Sequence, residues 1–205
     1  MPVKFTQTSV QDGGSDLIRT LAGTVSRVKM HLIKAYALAD SYATVVANSC
    51  GSVDMVAGDF VQSGAAGAAR VTTVGAKSIP LTGSSSQYDQ GTATSGAAST
   101  LTDTAKTFTA NAHAGRAAVI TAGTGAGQSR RVLSNTATAL TVDAVWATNP
   151  DATSTYAIRD NLQIAAVDST GSVVLLVTDE SSDQMVTAGG TFNVPAWTYS
   201  VGQPT

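Results

Sequence analysis

Apolar and polar residues alternate over short stretches along most of this chain, and glycines punctuate the alternation. In Arg116-Ala117-Ala118-Val119-Ile120-Thr121 and in Arg131-Val132-Leu133-Ser134 the pattern approaches the period of two expected of a half-buried strand, with glycines at 123, 125 and 127 between them. The pattern predicts a hairpin. A second hairpin is predicted from residues 139–143 and 155–158, which flank the turn-forming Asn149-Pro150-Asp151. A third joins residues 162–168 to 172–178 through Asp168-Ser169-Thr170-Gly171. Gly171 is expected to take the positive φ of that turn, and both strands are apolar enough to be central in a sheet. Shorter strands are expected within 52–62, 69–74 and 78–81. A last strand over 190–199 carries Phe192, Trp197 and Tyr199, with Pro195 marking an edge or a bulge.

The period changes near the N-terminus. Ser15 is placed to cap a helix, Asp16 suits its first turn, and Ile18, Leu21, Val25, Val28, Leu32, Ala35 and Ala39 follow at alternating steps of three and four. An amphipathic helix over residues 15–40 is predicted, with Asp16, Arg19, Arg27, Lys29, His31 and Lys34 off its apolar stripe. Such a stripe serves either a helix lying on its own sheet or a short coiled-coil seam through which several copies assemble. Gly23 and the terminal alanines weaken an isolated coiled coil, because they bury little area.

The expected fold class is mainly β (α+β). An antiparallel scaffold, residues 1–86 plus 160–205, carries one N-terminal amphipathic helix and an inserted small β module, residues 87–159. Gly83-Ser84-Ser85-Ser86-Gln87 reads as a polar linker into that module. An insert is expected to enter and leave its host at nearby points.

Composition narrows the function. With 43% hydrophobic residues and only 5 prolines in 205, the chain is expected to fold; with 13% charged and 5% aromatic residues it lacks the makings of a charge-lined pocket. The net charge of −2 and the scattered lysines and arginines argue against nucleic acid as a partner. No apolar run spans a bilayer and no secretory core follows Met1, so synthesis in a reducing cytoplasm is expected, with Cys50 a small buried hydrophobe.

Candidate chemistry is sparse. The glycines at 123, 125 and 127 lack the G-x-G-x-x-G spacing and the strand-to-helix setting of a dinucleotide loop. His31 and His113 have no nearby His or Cys at metal-ligand spacing, and no G-x-S-x-G elbow marks a nucleophile. Asp179, Glu180 and Asp183 lack the EF-hand pattern and read as a solvated loop, with cation binding as the alternative. No catalytic residue, metal ligand or cofactor is expected.

Residues 91–104, 119–130, 134–142 and 150–156, from Gly91-Thr92-Ala93-Thr94-Ser95-Gly96 to Ser154-Thr155-Tyr156, resemble a small β module that recurs in virion proteins of tailed bacteriophages. The flanks 37–49, 175–184 and 195–205 are similar to small phage structural proteins. The resemblance implies a non-enzymatic virion protein: a capsid decoration protein bound to the particle as an oligomer, or a tail or head fibre or adaptor presenting the module to the host surface. Implied partners are like subunits and a major capsid or tail protein, without nucleic acid or membrane. In such a protein Ile18, Leu21, Val25, Val28, Leu32, Ala35 and Ala39 would form the assembly seam, and Trp146 and Tyr156 would be contacts of the exposed lobe.

Overall fold

The computed structural model describes residues 16–65, 70–180 and 182–201. Among them the chain is mainly β, and every strand pairing is antiparallel. Two short α-helices, α1 (Leu17–Ala22) and α2 (Tyr42–Ala47), and a 3-10 turn (Ala57–Asp59) accompany the strands. None of these helices is long and apolar enough to cross a membrane.

The helix expected over 15–40 is not formed as one element. Asp16 occupies the N-cap position of α1, Gly23 ends it, and Ser26 adopts a φ of +57°; Ser15 lies outside the described residues. From Val28 the chain becomes a strand, β1 (Val28–Ile33). The reason is a competing period in the same residues. Val28, Met30 and Leu32 alternate with Lys29 and His31, and two flanking strands, β13 (Gln163–Asp168) and β2 (Ser49–Asp54), satisfy the backbone of β1 on both edges. A six-residue stretch with two β-branched residues gains more from that pairing than from a helix already interrupted at Gly23. Of the predicted seam, Ile18 and Leu21 belong to α1. Val28 and Leu32 are buried in β1, Val25 and Ala39 are exposed in turns, and Ala35 is exposed in the irregular segment after β1. They do not share a helix face.

The predicted hairpin over 162–178 forms as β13 and β14 (Val173–Asp179), giving a four-stranded sheet in the order β14-β13-β1-β2. Ser172, with φ +54°, takes the left-handed turn position expected of Gly171, and β14 is an edge strand where a central one was expected. Two smaller sheets complete the scaffold. β3 (Phe60–Ser63), β4 (Arg70–Val74) and β16 (Trp197–Val201) form one; β5 (Lys77–Pro80) and β15 (Thr191–Val194) form the other. Pro195 separates β15 from β16, so the expected last strand is two, paired with different partners.

Residues 87–159 supply a seven-stranded sheet by themselves. Its strands are β6 (Gln87–Thr92), β7 (Ser95–Ala97), β8 (Thr100–Thr102), β9 (Ala117–Ala122), β10 (Ser129–Asn135), β11 (Ala139–Val142) and β12 (Thr155–Arg159), in the order β6-β12-β9-β10-β11-β8-β7. The β9–β10 hairpin matches expectation, with Gly123, Gly125 and Gly127 all at positive φ in its turn. The β11–β12 hairpin does not form. β11 pairs with β8 and β10, while β12 crosses to lie between β6 and β9, because its Tyr156, Ala157 and Ile158 are buried and need neighbours on both edges.

The cores divide the same way. Ile18, Met30, Leu32, Ile79, Leu162 and Phe192 belong to a scaffold core, and Ile33, Val45, Ala165 and Val167 to a second cluster on the other face of the four-stranded sheet. Leu101, Ile120, Val132, Leu140, Trp146 and Ile158 form a core drawn wholly from the module.

Candidate functional site

Ser85, Ser129, Asp160 and Asp183 are buried polar residues that lie where the module joins the scaffold. Where the chain enters the module, the Ser86 amide donates to Asp160 Oδ2 at 2.7 Å, and the Asp160 amide donates back to the Ser86 carbonyl at 3.0 Å. Tyr88 Oη donates to Asp160 Oδ1 at 2.6 Å, so both oxygens of this buried carboxylate are engaged. The Arg116 guanidinium lies over the Tyr88 ring, 3.4 Å from its centroid, and donates to His113 Nδ1 at 3.1 Å.

The serines expected to form a linker are tied down. Ser85 Oγ accepts the Val186 amide at 2.9 Å and the Ser85 amide donates to the Val186 carbonyl at 3.1 Å, while Ser84 Oγ accepts the Ala188 amide at 3.0 Å. The alternation signal cannot reveal such pairing, because a serine run looks the same solvated or bonded.

A second bridge runs through the acidic segment. Asp183, expected in a solvated loop, is 3% exposed. Its Oδ1 accepts the Leu162 amide of the scaffold at 2.6 Å and its Oδ2 accepts the Ser129 hydroxyl at the start of β10. Burial pushes this carboxyl up to about 7, against the pull of the two donors, and Asp179 and Glu180 add to the rise. Burial also raises Asp179, with Asp143 and Glu180 contributing. Among the described residues no group of three or more His, Cys, Asp or Glu could hold a metal ion.

The residues expected at an exposed lobe are core residues. Trp146 is 4% exposed and Tyr156 is 1% exposed, because the strand pairings turn both into the module core. Tyr156 Oη donates to the buried Asp103 Oδ2 at 2.9 Å, and burial followed by that bond raises the phenol far above its usual range.

The histidines lie apart. His31, on β1 and not on a helix, is buried, with Nδ1 2.9 Å from Ser49 Oγ and Nε2 without a partner among the described residues. His113, buried in the module, meets the Phe108 ring edge-on at 4.8 Å. Burial lowers both imidazoles, which favours their neutral forms near neutrality. Burial raises the thiol of Cys50, which sits fully enclosed on β2.

The scaffold surface is shaped differently. An apolar groove of about 300 Å³ is lined by Ile18, Leu176, Val177, Thr178, Trp197 and Tyr199, between α1, β14 and β16. Leu17, Val56 and Val61 are each more than half exposed on α1, the residue before the 3-10 turn, and β3.

Comparison of the chain with protein-family models, with curated proteins and with solved structures finds no match.

Proposed function

We propose that this chain is a non-enzymatic structural protein of a tailed-bacteriophage particle, a capsid decoration protein that binds the particle surface as a homo-oligomer, with a trimer favoured. The carrying observation is the exposure of large apolar side chains on a chain with two separate cores. They remain exposed on the scaffold at Leu17, Val56 and Val61 and on the module at Leu133 and Val145. Exposed apolar side chains of this kind suit burial against like subunits and a major capsid protein. The buried polar side chains described above support the same reading, since Asp160, Asp183, Ser85 and Tyr156 are bonded within the protein.

The test is re-binding. Purified protein added to particles stripped of it saturates the surface and raises their melting temperature; absence of binding at saturating protein rejects the decoration role. Light scattering on the free chain is expected to give an oligomer, and a monomer at all concentrations counts against assembly before docking.

A fibre or adaptor role is the second reading, favoured by the pairing of Ser86 with Asp160, which places both ends of the module at one point so that it can project. Deleting residues 91–158 would then spare assembly but impair adsorption to the host.

A further inference from the structure

Asp183 stands where the two parts of the chain meet. It lies between β14 and β15 with φ +43°, and its carboxyl bridges Leu162 of the scaffold and Ser129 of the module. The groups around it are few. From the end of β14 come Asp179 and Glu180, and Glu180 Oε2 accepts the Asp183 amide at 3.0 Å. The segment leading into β13 presents Asn161, which bonds Asp179, and the Leu162 amide.

From β10 come Ser129 and, next along the strand, Arg130, whose guanidinium donates to the carbonyls of Ser129 and Val145 at 2.7 and 3.0 Å. Arg131 and, just beyond β11, Asp143 act on Asp179. No Lys or Arg forms an ion pair with Asp183 among the described residues.

The neutral acid suits this setting better than the carboxylate. The Leu162 amide can only donate, so Oδ1 must accept. A serine hydroxyl both donates and accepts, so Oδ2–H can donate to Ser129 Oγ once the hydroxyl has rotated. Both contacts therefore survive protonation, whereas ionisation places an unpaired charge in a buried seam beside Asp179 and Glu180.

We propose that Asp183 is a proton-operated clasp: protonated, it holds the module docked on the scaffold, and ionised, it lets the seam loosen. The proton lost on opening goes to solvent. In an open seam the carboxyl returns to the ordinary aspartate value near 3.9, whereas the docked value is about 7. Docking is therefore strongest below about pH 4, weakens up to tenfold per unit as pH rises toward 7, and levels off above it.

Hydrogen exchange of the Leu162 amide in the full chain, corrected for the intrinsic pH dependence of exchange, tests the clasp. In the unsubstituted protein, protection is expected to fall roughly fiftyfold between pH 5 and pH 7. Asp183→Asn reproduces the neutral acid, with a carbonyl for Leu162 and an amide donor for Ser129. It is expected to hold protection nearly constant over that range, while Ser129→Ala lowers protection at pH 5. Unchanged protection in the unsubstituted protein, or the original slope retained in Asp183→Asn, overturns the proposal. Should Asp183→Asn fail to fold, carbon NMR of the Asp183 carboxyl in the unsubstituted protein decides: a midpoint near 7 supports the clasp and one below about 5 overturns it.

Discussion

Ser86 and Asp160 close the neck of the module upon each other, each backbone amide bonded to the other residue, through the Asp160 carboxylate in one direction and the Ser86 carbonyl in the other. With Tyr88 also donating to that carboxylate, Asp160 is the acceptor for two groups from the incoming strand.

Asp160→Ala is therefore expected to remove the acceptor of the Ser86 amide and the Tyr88 phenol, both on exposed residues that water can reach. The cost should be about 1–2 kcal/mol, on the scale of lost hydrogen bonds to a charged group. Asp160→Asn keeps one carbonyl acceptor and should cost less. Urea denaturation of the two variants side by side checks the order.

The competing readings of residues 17–33 differ measurably. In one continuous helix Val25 and Leu32 would be equivalent stripe positions, but in this fold Val25 is 88% exposed and Leu32 is fully buried. Leu32→Ala is expected to cost about 2–5 kcal/mol and Val25→Ala less than about 0.5 kcal/mol. Equal losses in thermal denaturation would restore the helix.

Within the module, Tyr156→Phe removes the hydroxyl that donates to buried Asp103 while keeping the ring. A loss of about 1–3 kcal/mol is expected, read from the calorimetric transition of the module, with the strand pairing retained by circular dichroism.

Gly123 combines a φ of +77° with a close backbone approach, because a Cβ there would run into the Thr153 carbonyl. Gly123→Ala is expected to destabilise the β9–β10 turn by more than about 1 kcal/mol, whereas the same change at Gly127, where a Cβ meets nothing, should cost only the backbone strain. Chemical denaturation separates the two.

Arg27 and Asp168 bind the start of β1 to the end of β13, with Arg27 Nε and Nη2 donating at 3.0 and 2.9 Å. The guanidinium holds the Asp168 carboxyl down to about 2, below its unfolded value near 3.9, with the Gly171 amide assisting. A depressed folded value means that this contribution is present above about pH 4 and is lost as pH falls toward 2. Arg27→Gln should flatten that part of the acid-unfolding curve and leave stability near pH 7 to 8 with no added slope.

Much of the strand content was legible because its signals are local. Glycines fix the β9–β10 turn, and of the two aliphatic runs 163–168 is buried over most of its length while 173–179 is only half-buried. The errors arose where one stretch satisfied two periods or where pairing was non-local. Residues 28–33 fit a helical stripe and an alternating strand at once, and the pairing of β1 with β2 and β13 decided between them. Residues 139–143 and 155–158 look like neighbours across Asn149-Pro150, yet β12 pairs with β6, from Thr155 opposite Thr92 to Arg159 opposite Gln87. Asp183 carried no signal as a buried group, because an acidic loop residue and a buried acceptor have the same local sequence.

The sequence alone determined a mainly β chain with a glycine-rich stretch between two aliphatic flanks. Those properties follow from composition and from the two-residue period, which each segment carries by itself. The tertiary structure decided which strands became neighbours, the burial of Trp146 and Tyr156, and the bonding of Ser86, Asp160 and Asp183 across the junction. These depend on groups far apart in the chain. A backbone edge or a buried carboxyl is satisfied by whichever partner the completed fold brings within hydrogen-bonding distance.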